Sequence, residues 1–304
     1  MSTDCTVPIN TTIPILEPFR TSSYLIFDYH RDYTDHFRRG DDPKLKPETF
    51  RASGSRQLDP VHLTARLAEV AKEVKPGGRL HLVDLRQETH LFFDIPQETD
   101  HARKRRAVSW YADKDWANVG QSLQWIEADE KSQIDRVQKF QTTQVFCLDP
   151  KEKQFVKPTG YSNITVSAAV TEAILAAKMQ VGVPVRYLRL PVTDHCPPTD
   201  TAVDSFCEWF KKDFGAGDWA HFHCHGGDGR TTTFMAIFDM LYSYKTRPTN
   251  NFPSREKFAE RQRRIFDYDL DPGCNEKCDW KYSLARLRWE KLGVIRDKIA
   301  AGRC

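Results

Sequence analysis

Apolar residues recur at helical spacing in three parts of the chain, and each part is followed by a short apolar run. The first part begins after Pro60, and its apolar face is formed by Leu63, Leu67, Val70 and Val74. A Pro-Gly-Gly turn at 76–78 ends this helix, and the run at 80–85 predicts a buried strand.

The same order of helix and strand occurs twice more. A helical pattern over residues 165–180 ends near Gly182 and precedes a strand pattern over 185–190. The pattern over 200–214 predicts a third helix, which precedes a short strand at 219–223. Because helices alternate with strands, the sequence predicts an α/β fold with a parallel sheet flanked by helices.

The pattern is less regular in the middle of the chain, where strand-like pieces occur at 108–111 and 144–147. We therefore predict a small inserted β-rich subdomain, a partial barrel, over residues 89–157. The predicted core consists of residues 46–88 and 158–304, and residues 1–45 form a segment packed along it.

The bulk properties exclude several classes of protein. The 45 Lys and Arg residues nearly balance the 42 Asp and Glu residues, so overall charge gives no case for nucleic-acid binding. No apolar run approaches the roughly 20 residues that span a bilayer, and the first residues lack a signal-peptide pattern. We expect a cytoplasmic protein by default, with export by a non-classical or effector route as the alternative. The oligomeric state is not indicated.

The eight cysteines are scattered, and their spacing matches neither a small disulfide scaffold nor a four-ligand zinc module. We predict that most are reduced thiols. Cys274 and Cys278 are interpreted as two such thiols, with a redox pair or metal ligands as alternatives.

A cysteine loop carries the main chemical signal. Cys224 is followed after five residues by Arg230, between a predicted strand and a predicted helix, so backbone N–H groups can surround a phosphate-sized anion. The amides, the helix dipole and Arg230 favour the thiolate form of Cys224, which is a nucleophile. Arg230 can also bind two phosphate oxygens through its planar guanidinium.

The remaining loop residues have predicted supporting roles. Gly226, Gly227 and Gly229 allow a tight turn, and Thr231 can donate a hydrogen bond to the sulfur and favour its departure. Asp228 is unexpected, because its carboxylate should repel an anionic substrate unless a neighbouring cation or proton compensates.

Asp194 is the predicted general acid. It follows the strand at 185–190 and therefore lies at the same sheet edge as the Cys224 loop. The alternative is an ordinary solvated aspartate.

A metal site is a competing interpretation. His221, His223 and His225 alternate along the predicted strand and could bind a metal together with Cys224. That reading leaves the glycines unexplained and places Arg230 beside a cation. We therefore predict no metal and no cofactor.

Beyond the loop, several segments resemble the protein-tyrosine-phosphatase-like phytases, cysteine enzymes that remove phosphates stepwise from myo-inositol hexakisphosphate. The similar segments are Phe19-Arg20-Thr21-Ser22, Ser53-Gly54-Ser55, Val83-Asp84-Leu85-Arg86-Gln87-Glu88, Val108-Ser109-Trp110-Tyr111, Asp115-Trp116-Ala117-Asn118, Thr193-Asp194-His195 and His221-Phe222-His223-Cys224. The resemblance covers about residues 19–295 and implies a protein-tyrosine-phosphatase-like core.

The resemblance also implies roles for individual residues. Cys224 would form a phosphocysteine, Arg230 would bind the phosphoryl group, and Asp194 would act as acid and then as base. The predicted catalytic set is Cys224, Arg230, Asp194, Thr231 and His223. The predicted substrate-binding set is His195, His225, Gly226, Gly227, Asp228, Gly229, Asp115, Lys281 and Arg288, with Lys291 as an alternative to Arg288.

Three functions follow from these observations. The first is a phosphatase that acts stepwise on inositol hexakisphosphate and lower inositol phosphates. The second is a protein-tyrosine or dual-specificity phosphatase, for which a role as a secreted effector is an option. The third is a non-catalytic module that binds phosphorylated ligands. A surplus of cations around the pocket would favour the first, and an aromatic-lined slot would favour the second.

Overall fold

The computed structural model describes residues 24–28, 35–99, 104–111, 116–148, 155–156, 164–247, 252–273 and 280–304. The helices are α1 (Pro60–Ala71), α2 (Leu123–Phe140), α3 (Glu172–Lys178), α4 (Asp200–Lys212), α5 (Gly229–Thr246), α6 (Arg255–Ile265) and α7 (Trp280–Ala300). The strands are β1 (Tyr24–Phe27), β2 (Arg38–Arg39), β3 (Ala52–Arg56), β4 (Leu80–Arg86), β5 (His90–Asp94), β6 (Arg105–Tyr111), β7 (Thr142–Thr143), β8 (Cys147–Leu148), β9 (Phe155–Val156), β10 (Ile164–Thr165), β11 (Ala168–Val170), β12 (Val185–Val192) and β13 (Trp219–Cys224).

A five-stranded sheet of order β12-β4-β13-β3-β2 forms the centre of the fold. The first four strands are parallel, and β2 pairs antiparallel with β3 at the edge. Strands β4, β12 and β13 each follow a helix, which confirms the predicted parallel α/β sheet. Because the strands run in one direction, their carboxyl ends and the loops that follow them share one edge.

Helices cover both faces of this sheet. Along β4, Leu80 and Leu82 pack in the core beneath α1, whereas Val83 and Leu85 face the core formed with α4 and α5. This alternation follows from the two-residue period of a strand. Both faces of the sheet are therefore buried, and the polar side chains His81 and Asp84 of β4 are buried with hydrogen-bond partners.

Helix α5 is buried around almost its whole circumference, because it lies between the sheet and helices α6 and α7. In edge-to-face arrangements, Phe234 contacts Phe206 of α4, and Phe238 contacts Phe222 of β13 and Phe210 of α4. Such aromatic packing holds the start of α5 at a fixed distance from the end of β13.

A second, four-stranded antiparallel sheet has the order β1-β6-β5-β11. It contains β6 within the predicted inserted region, but also β1 and β11, which lie outside residues 89–157. The division of the chain into domains and the partial barrel both stay predictions. None of the described helices combines the length and the apolar character needed to cross a membrane.

Two parts of the sequence pattern were misread. Residues 165–180 do not form one helix: β10 and β11 occupy the first part, and α3 spans only Glu172–Lys178. Antiparallel pairing of β11 with β5 outweighs the helical spacing there. The 18-residue helix α2 was not predicted at all, because its mean hydropathy is low and its exposed face is polar.

The cysteines differ from expectation at one pair. Cys207 of α4 is joined by a disulfide to Cys304, whereas Cys196 and Cys224 are reduced and buried. Cys274 and Cys278 lie outside the described residues.

A substitution of Gly54 tests the packing of α5 on β3. A Cβ atom at this position would lie 2.5 Å from the sulfur of Met235 and 2.8 Å from Cγ2 of Thr231. We expect Gly54→Ala to lower the free energy of unfolding by roughly 1–3 kcal/mol, measured by urea denaturation, because overpacking displaces buried groups. Gly215→Ala is the matched control, since its nearest contact is 3.5 Å. Equal stability of both variants would contradict the packing argument.

Candidate active site

Cys224 ends β13, and its loop leads directly into the N-terminus of α5. The side chain is buried, with 2% of its surface exposed. Its sulfur accepts hydrogen bonds from the Gly227 amide at 3.2 Å and from the Thr231 hydroxyl at 3.1 Å. Both donors stabilise a negative charge on the sulfur, and the helix N-terminus adds to this effect.

The tight path of the loop requires glycine at position 227. Gly227 has a φ of +82°, and a Cβ atom there would lie 2.6 Å from the backbone nitrogen of Arg56. An L side chain would therefore be strained both by its conformation and by its neighbour. Gly229 is constrained differently, because a Cβ atom would lie 3.0 Å from the Arg288 guanidinium.

Arg230 is held in place by Glu88, which lies just after the end of β4, the strand next to β13. Its guanidinium donates to the two Glu88 carboxylate oxygens at 2.7 and 3.0 Å, and to the carbonyl of Val192 at 3.1 Å. Burial opposes the charge of Arg230, but Glu88 and Asp194 together hold its pKa well above the usual range. Glu88 belongs to a segment singled out by sequence similarity, yet its function as a partner of Arg230 was missed.

Glu88 is also the link to a deeper ion pair. Arg86 donates to Glu88 at 2.9 Å and to Asp28 at 2.6 Å, and all three side chains are buried. Burial raises the pKa of Asp28, but Arg86 outweighs it and lowers that pKa to about 2. For the same reason, Arg230 and Arg86 hold the pKa of Glu88 well below its usual value despite burial. These buried charges compensate one another, as buried charges must.

Asp194 lies two residues beyond the end of β12, at the same sheet edge as Cys224. Its carboxylate is 3.2 Å from Nε of Arg230 and 3.0 Å from Nε2 of His195. Burial raises the pKa of Asp194, but Arg230 and then His195 lower it below the usual value. Trp116 donates its indole N–H to the Asp194 carbonyl at 3.0 Å, which fixes the backbone of this loop.

Aromatic rings surround the acid loop. Trp280 packs edge-on against His195 at 5.2 Å and against Trp116 at 5.9 Å between ring centroids. Lys281 is exposed, and its ammonium lies 5.4 Å from the Trp280 ring. Asp115 lies outside the described residues. The predicted substrate contacts His195 and Lys281 therefore lie together at one aromatic cluster.

Arg288 is buried rather than exposed to a ligand. Its guanidinium donates to the His195 carbonyl at 3.0 Å and to the Tyr268 hydroxyl at 2.6 Å. These bonds tie α7 to the acid loop, and the predicted contact of Arg288 with substrate stays a prediction. The alternative residue, Lys291, forms an ion pair with Asp200.

The three histidines of the metal interpretation have separate partners. His221 lies between the hydroxyls of Ser53 and Ser55, whereas His223 and His225 lie near different carboxylates, those of Glu172 and Asp28. Burial lowers the pKa of His223 to about 4, so its ring is neutral at pH 7. Within the described ranges, these rings form no metal-ligand group with Cys224.

A different set of side chains has metal-ligand spacing. Among the residues that the structure describes, the only such group is Asp84, His90 and Glu172, which are all buried. Tyr187 already donates to Asp84 at 2.7 Å, and Nε of Arg189 lies 3.4 Å from the same oxygen. A guanidinium at this position disfavours a second cation. We therefore interpret this group as part of the buried charge network.

Asp228 stands at the rim of the loop with a partner that the sequence did not reveal. Nδ1 of His36 is 2.9 Å from the Asp228 carboxylate and 2.9 Å from the Gly226 carbonyl. Two residues further along, Arg38 is buried and donates to the Thr232 hydroxyl at 2.8 Å. His36 precedes the two-residue strand β2, which Arg38 begins, and this part of the chain has no recognisable motif, so sequence reasoning missed both residues.

The chain matches a known family. A model of the protein-tyrosine-phosphatase-like phytase family matches residues 83–242. The description of that family reads "Inositol hexakisphosphate". The effector protein HopD2 of Pseudomonas syringae pv. tomato is 27% identical over 203 residues, which are 64% of this chain and 37% of that protein.

Solved structures give the same result for the fold. A protein-tyrosine-phosphatase-like phytase from Bdellovibrio bacteriovorus is 28% identical with a TM-score of 0.65, over 92% of this chain and 90% of that one. A myo-inositol phosphatase from Mitsuokella multacida, in complex with an inositol tetrakisphosphate, is 26% identical with a TM-score of 0.73. The tandemly repeated phytase of that organism is 24% identical with a TM-score of 0.74. This chain covers 46% of either Mitsuokella chain.

The buried charges predict how stability depends on pH. Asp28 and Glu88 have lower pKa values in the folded chain than in the unfolded chain, so their ion pairs stabilise the fold above about pH 4. As the pH falls from 4 towards 2, we expect Asp28 alone to account for a loss of roughly 2 kcal/mol. Urea denaturation at each pH measures this.

Asp28→Asn should flatten the pH dependence, whereas Glu127→Gln, which changes an exposed acid of α2, should leave it unchanged. A stability that stays constant between pH 5 and pH 2 would show that these ion pairs do not act as described.

Proposed function

We propose that this chain, which belongs to the protein-tyrosine-phosphatase-like phytase family, is a phosphoric monoester hydrolase with Cys224 as its nucleophile. One observation carries the proposal. The Cys224 sulfur accepts bonds from a loop amide and from Thr231, while Glu88 fixes the Arg230 guanidinium on the same loop. These groups supply a stabilised thiolate and a phosphate-binding cation side by side.

The proposed substrates are inositol hexakisphosphate and lower inositol phosphates, dephosphorylated stepwise. Support comes from the description of the matching family and from the relative whose structure contains an inositol tetrakisphosphate. This chain spans less than half of that relative and of the effector, so the substrate is a proposal for this chain.

In the first proposed step, the Cys224 thiolate attacks the phosphorus in line with the scissile bond. A sulfur–phosphorus bond forms, the bond from phosphorus to the ester oxygen breaks, and Asp194 gives its proton to the leaving oxygen. The Arg230 guanidinium and the loop amides bind the equatorial phosphoryl oxygens.

Asp194 must be protonated for this step, although its pKa is lowered when Arg230 is its neighbour. A bound phosphoryl group would compete with Asp194 for Nε of Arg230, and its negative charge would favour the protonated carboxyl. We therefore propose that substrate binding itself prepares the acid.

In the second step, water attacks the phosphocysteine while the Asp194 carboxylate takes its proton. The sulfur–phosphorus bond breaks, and inorganic phosphate leaves. The sulfur departs as a thiolate, which the Thr231 hydroxyl stabilises at 3.1 Å. Neither proposed step uses a metal or a cofactor.

A second candidate substrate is phosphotyrosine in a protein. The rings of Trp116, His195 and Trp280 at the acid loop are the observation that favours it, since an aromatic substrate could pack against them. The relative named as an effector supports export as an alternative to the cytoplasm.

Substitution of the nucleophile tests the proposal most directly. Cys224→Ser should reduce phosphate release to the background rate, because a serine hydroxyl at this position is not ionised at neutral pH. Release from inositol hexakisphosphate and from a phosphotyrosine peptide should be measured in parallel, each with EDTA. Release that persists in the variant would contradict the mechanism, and release from the peptide alone would favour the second candidate.

The acid is tested through the leaving group. Asp194→Asn should lower kcat for an inositol phosphate by about 10²-fold or more, because an alkoxide must be protonated as it leaves. The loss for p-nitrophenyl phosphate should be much smaller, since p-nitrophenolate is a stable anion. Asp213→Asn, at the far end of α4, is the matched control. Equal losses for both substrates would argue against Asp194 as the acid.

A further inference from the structure

We infer that Asp228 determines specificity, by disfavouring esters in which phosphates flank the phosphate under attack. The inference rests on the proposed hydrolase and refines its substrate class. Among the proposed substrates, lower inositol phosphates whose attacked phosphate has no phosphorylated neighbour would be preferred. Inositol hexakisphosphate, in which every phosphate has two phosphorylated neighbours, would be hydrolysed more slowly.

The first argument is the position of the carboxylate. Asp228 lies between Gly227 and Gly229 in the loop that is proposed to bind the phosphate, and 47% of its side chain is exposed. It precedes α5, yet its side chain makes no capping hydrogen bond to that helix. The carboxylate oxygens are therefore not bonded to the first amides of α5, as they would be in an ordinary helix N-cap.

The second argument is that the carboxylate is held at the rim. Nδ1 of His36 contacts both the Asp228 carboxylate and the carbonyl of Gly226, and the His36 ring packs 5.2 Å from that of Phe266. At Gly226, a Cβ atom would find only Asp228 within 4 Å among the described residues, so this side of the loop is open. A group attached beside the scissile phosphate would occupy that space.

The third argument is the electrostatic range of the Asp228 carboxylate. Burial lowers the pKa of Arg38 to about 10, and the charges of Cys224 and Asp228 oppose that change. Burial raises the pKa of Tyr268, Arg288 opposes this, and Asp228 and Cys224 add to the rise. Asp228 and Cys224 are thus near enough to Arg38 and Tyr268 to influence the pKa of both, which agrees with the position of the carboxylate at the rim of the loop.

These contacts explain how an anion-binding loop tolerates a carboxylate. Arg38 remains charged at neutral pH and lies within range of Asp228, so the scissile phosphate at Arg230 still meets a favourable environment. A flanking phosphate would approach the exposed side of Asp228, where the carboxylate repels it. The penalty therefore depends on the number of neighbouring phosphates and not on the ester being cleaved.

The experiment compares two substrates that share one ring. Phosphate release is measured from inositol hexakisphosphate and from myo-inositol 2-phosphate, using the full chain and its Asp228→Asn variant. We expect the ratio of the two kcat/KM values to rise about tenfold in favour of the hexakisphosphate, the size expected for removing one charge near a dianion. The rise should shrink in 0.5 M NaCl, because salt screens exposed charges.

Asp213→Asn removes one charge at the C-terminal end of α4 and should leave the ratio of the two kcat/KM values unchanged. A ratio that stays within twofold of the parent value in Asp228→Asn, or that falls, would overturn the inference while leaving the hydrolase proposal intact.

Binding separates the two proposals if no phosphate is released from either substrate. Calorimetry then compares the affinity for inositol hexakisphosphate of Cys224→Ser with that of Cys224→Ser/Asp228→Asn. Tighter binding by the double variant would support the role of Asp228 although the hydrolase proposal had failed. Equal affinity, or binding by neither protein, would overturn the inference.

Discussion

The buried ion pair between Arg230 and Glu88 is the interaction on which the rest of the site depends. An unpaired guanidinium could not be buried at this depth, and one without fixed partners would not keep its orientation. Glu88 provides the compensating charge and also fixes the orientation of the guanidinium. Arg86 and Asp28 complete the charge balance behind it. The cation that would bind a phosphoryl group is thus anchored in the core instead of extending from a flexible loop.

The parallel sheet brings the remaining groups to that cation. Strands β4, β12 and β13 are adjacent, so Glu88, Asp194 and Cys224 emerge at one edge although they are far apart in sequence. Helix α7 reinforces the acid loop through Arg288 and Trp280. Long-range packing therefore sets the distances between the groups, while the cysteine loop sets their local chemistry.

The rim of the site differs in character from its centre. The centre is buried and charge-balanced, whereas Asp228, His195 and Lys281 are accessible and have fewer partners. In our proposal, the centre performs a chemistry common to the family, and the rim selects among phosphorylated substrates. Both functions rest on one short loop, because Asp228 lies four residues from Cys224 and two from Arg230.

The sequence by itself determined the parallel α/β sheet, the cysteine loop and the placement of Asp194 at the sheet edge, because each follows from short-range spacing. It misassigned residues 165–180 and missed α2, where pairing and packing outweigh local pattern. Only the tertiary structure decided that Glu88 anchors Arg230, that Arg288 is buried, and that His36 contacts Asp228. These are contacts between residues distant in sequence, and no local pattern encodes such contacts.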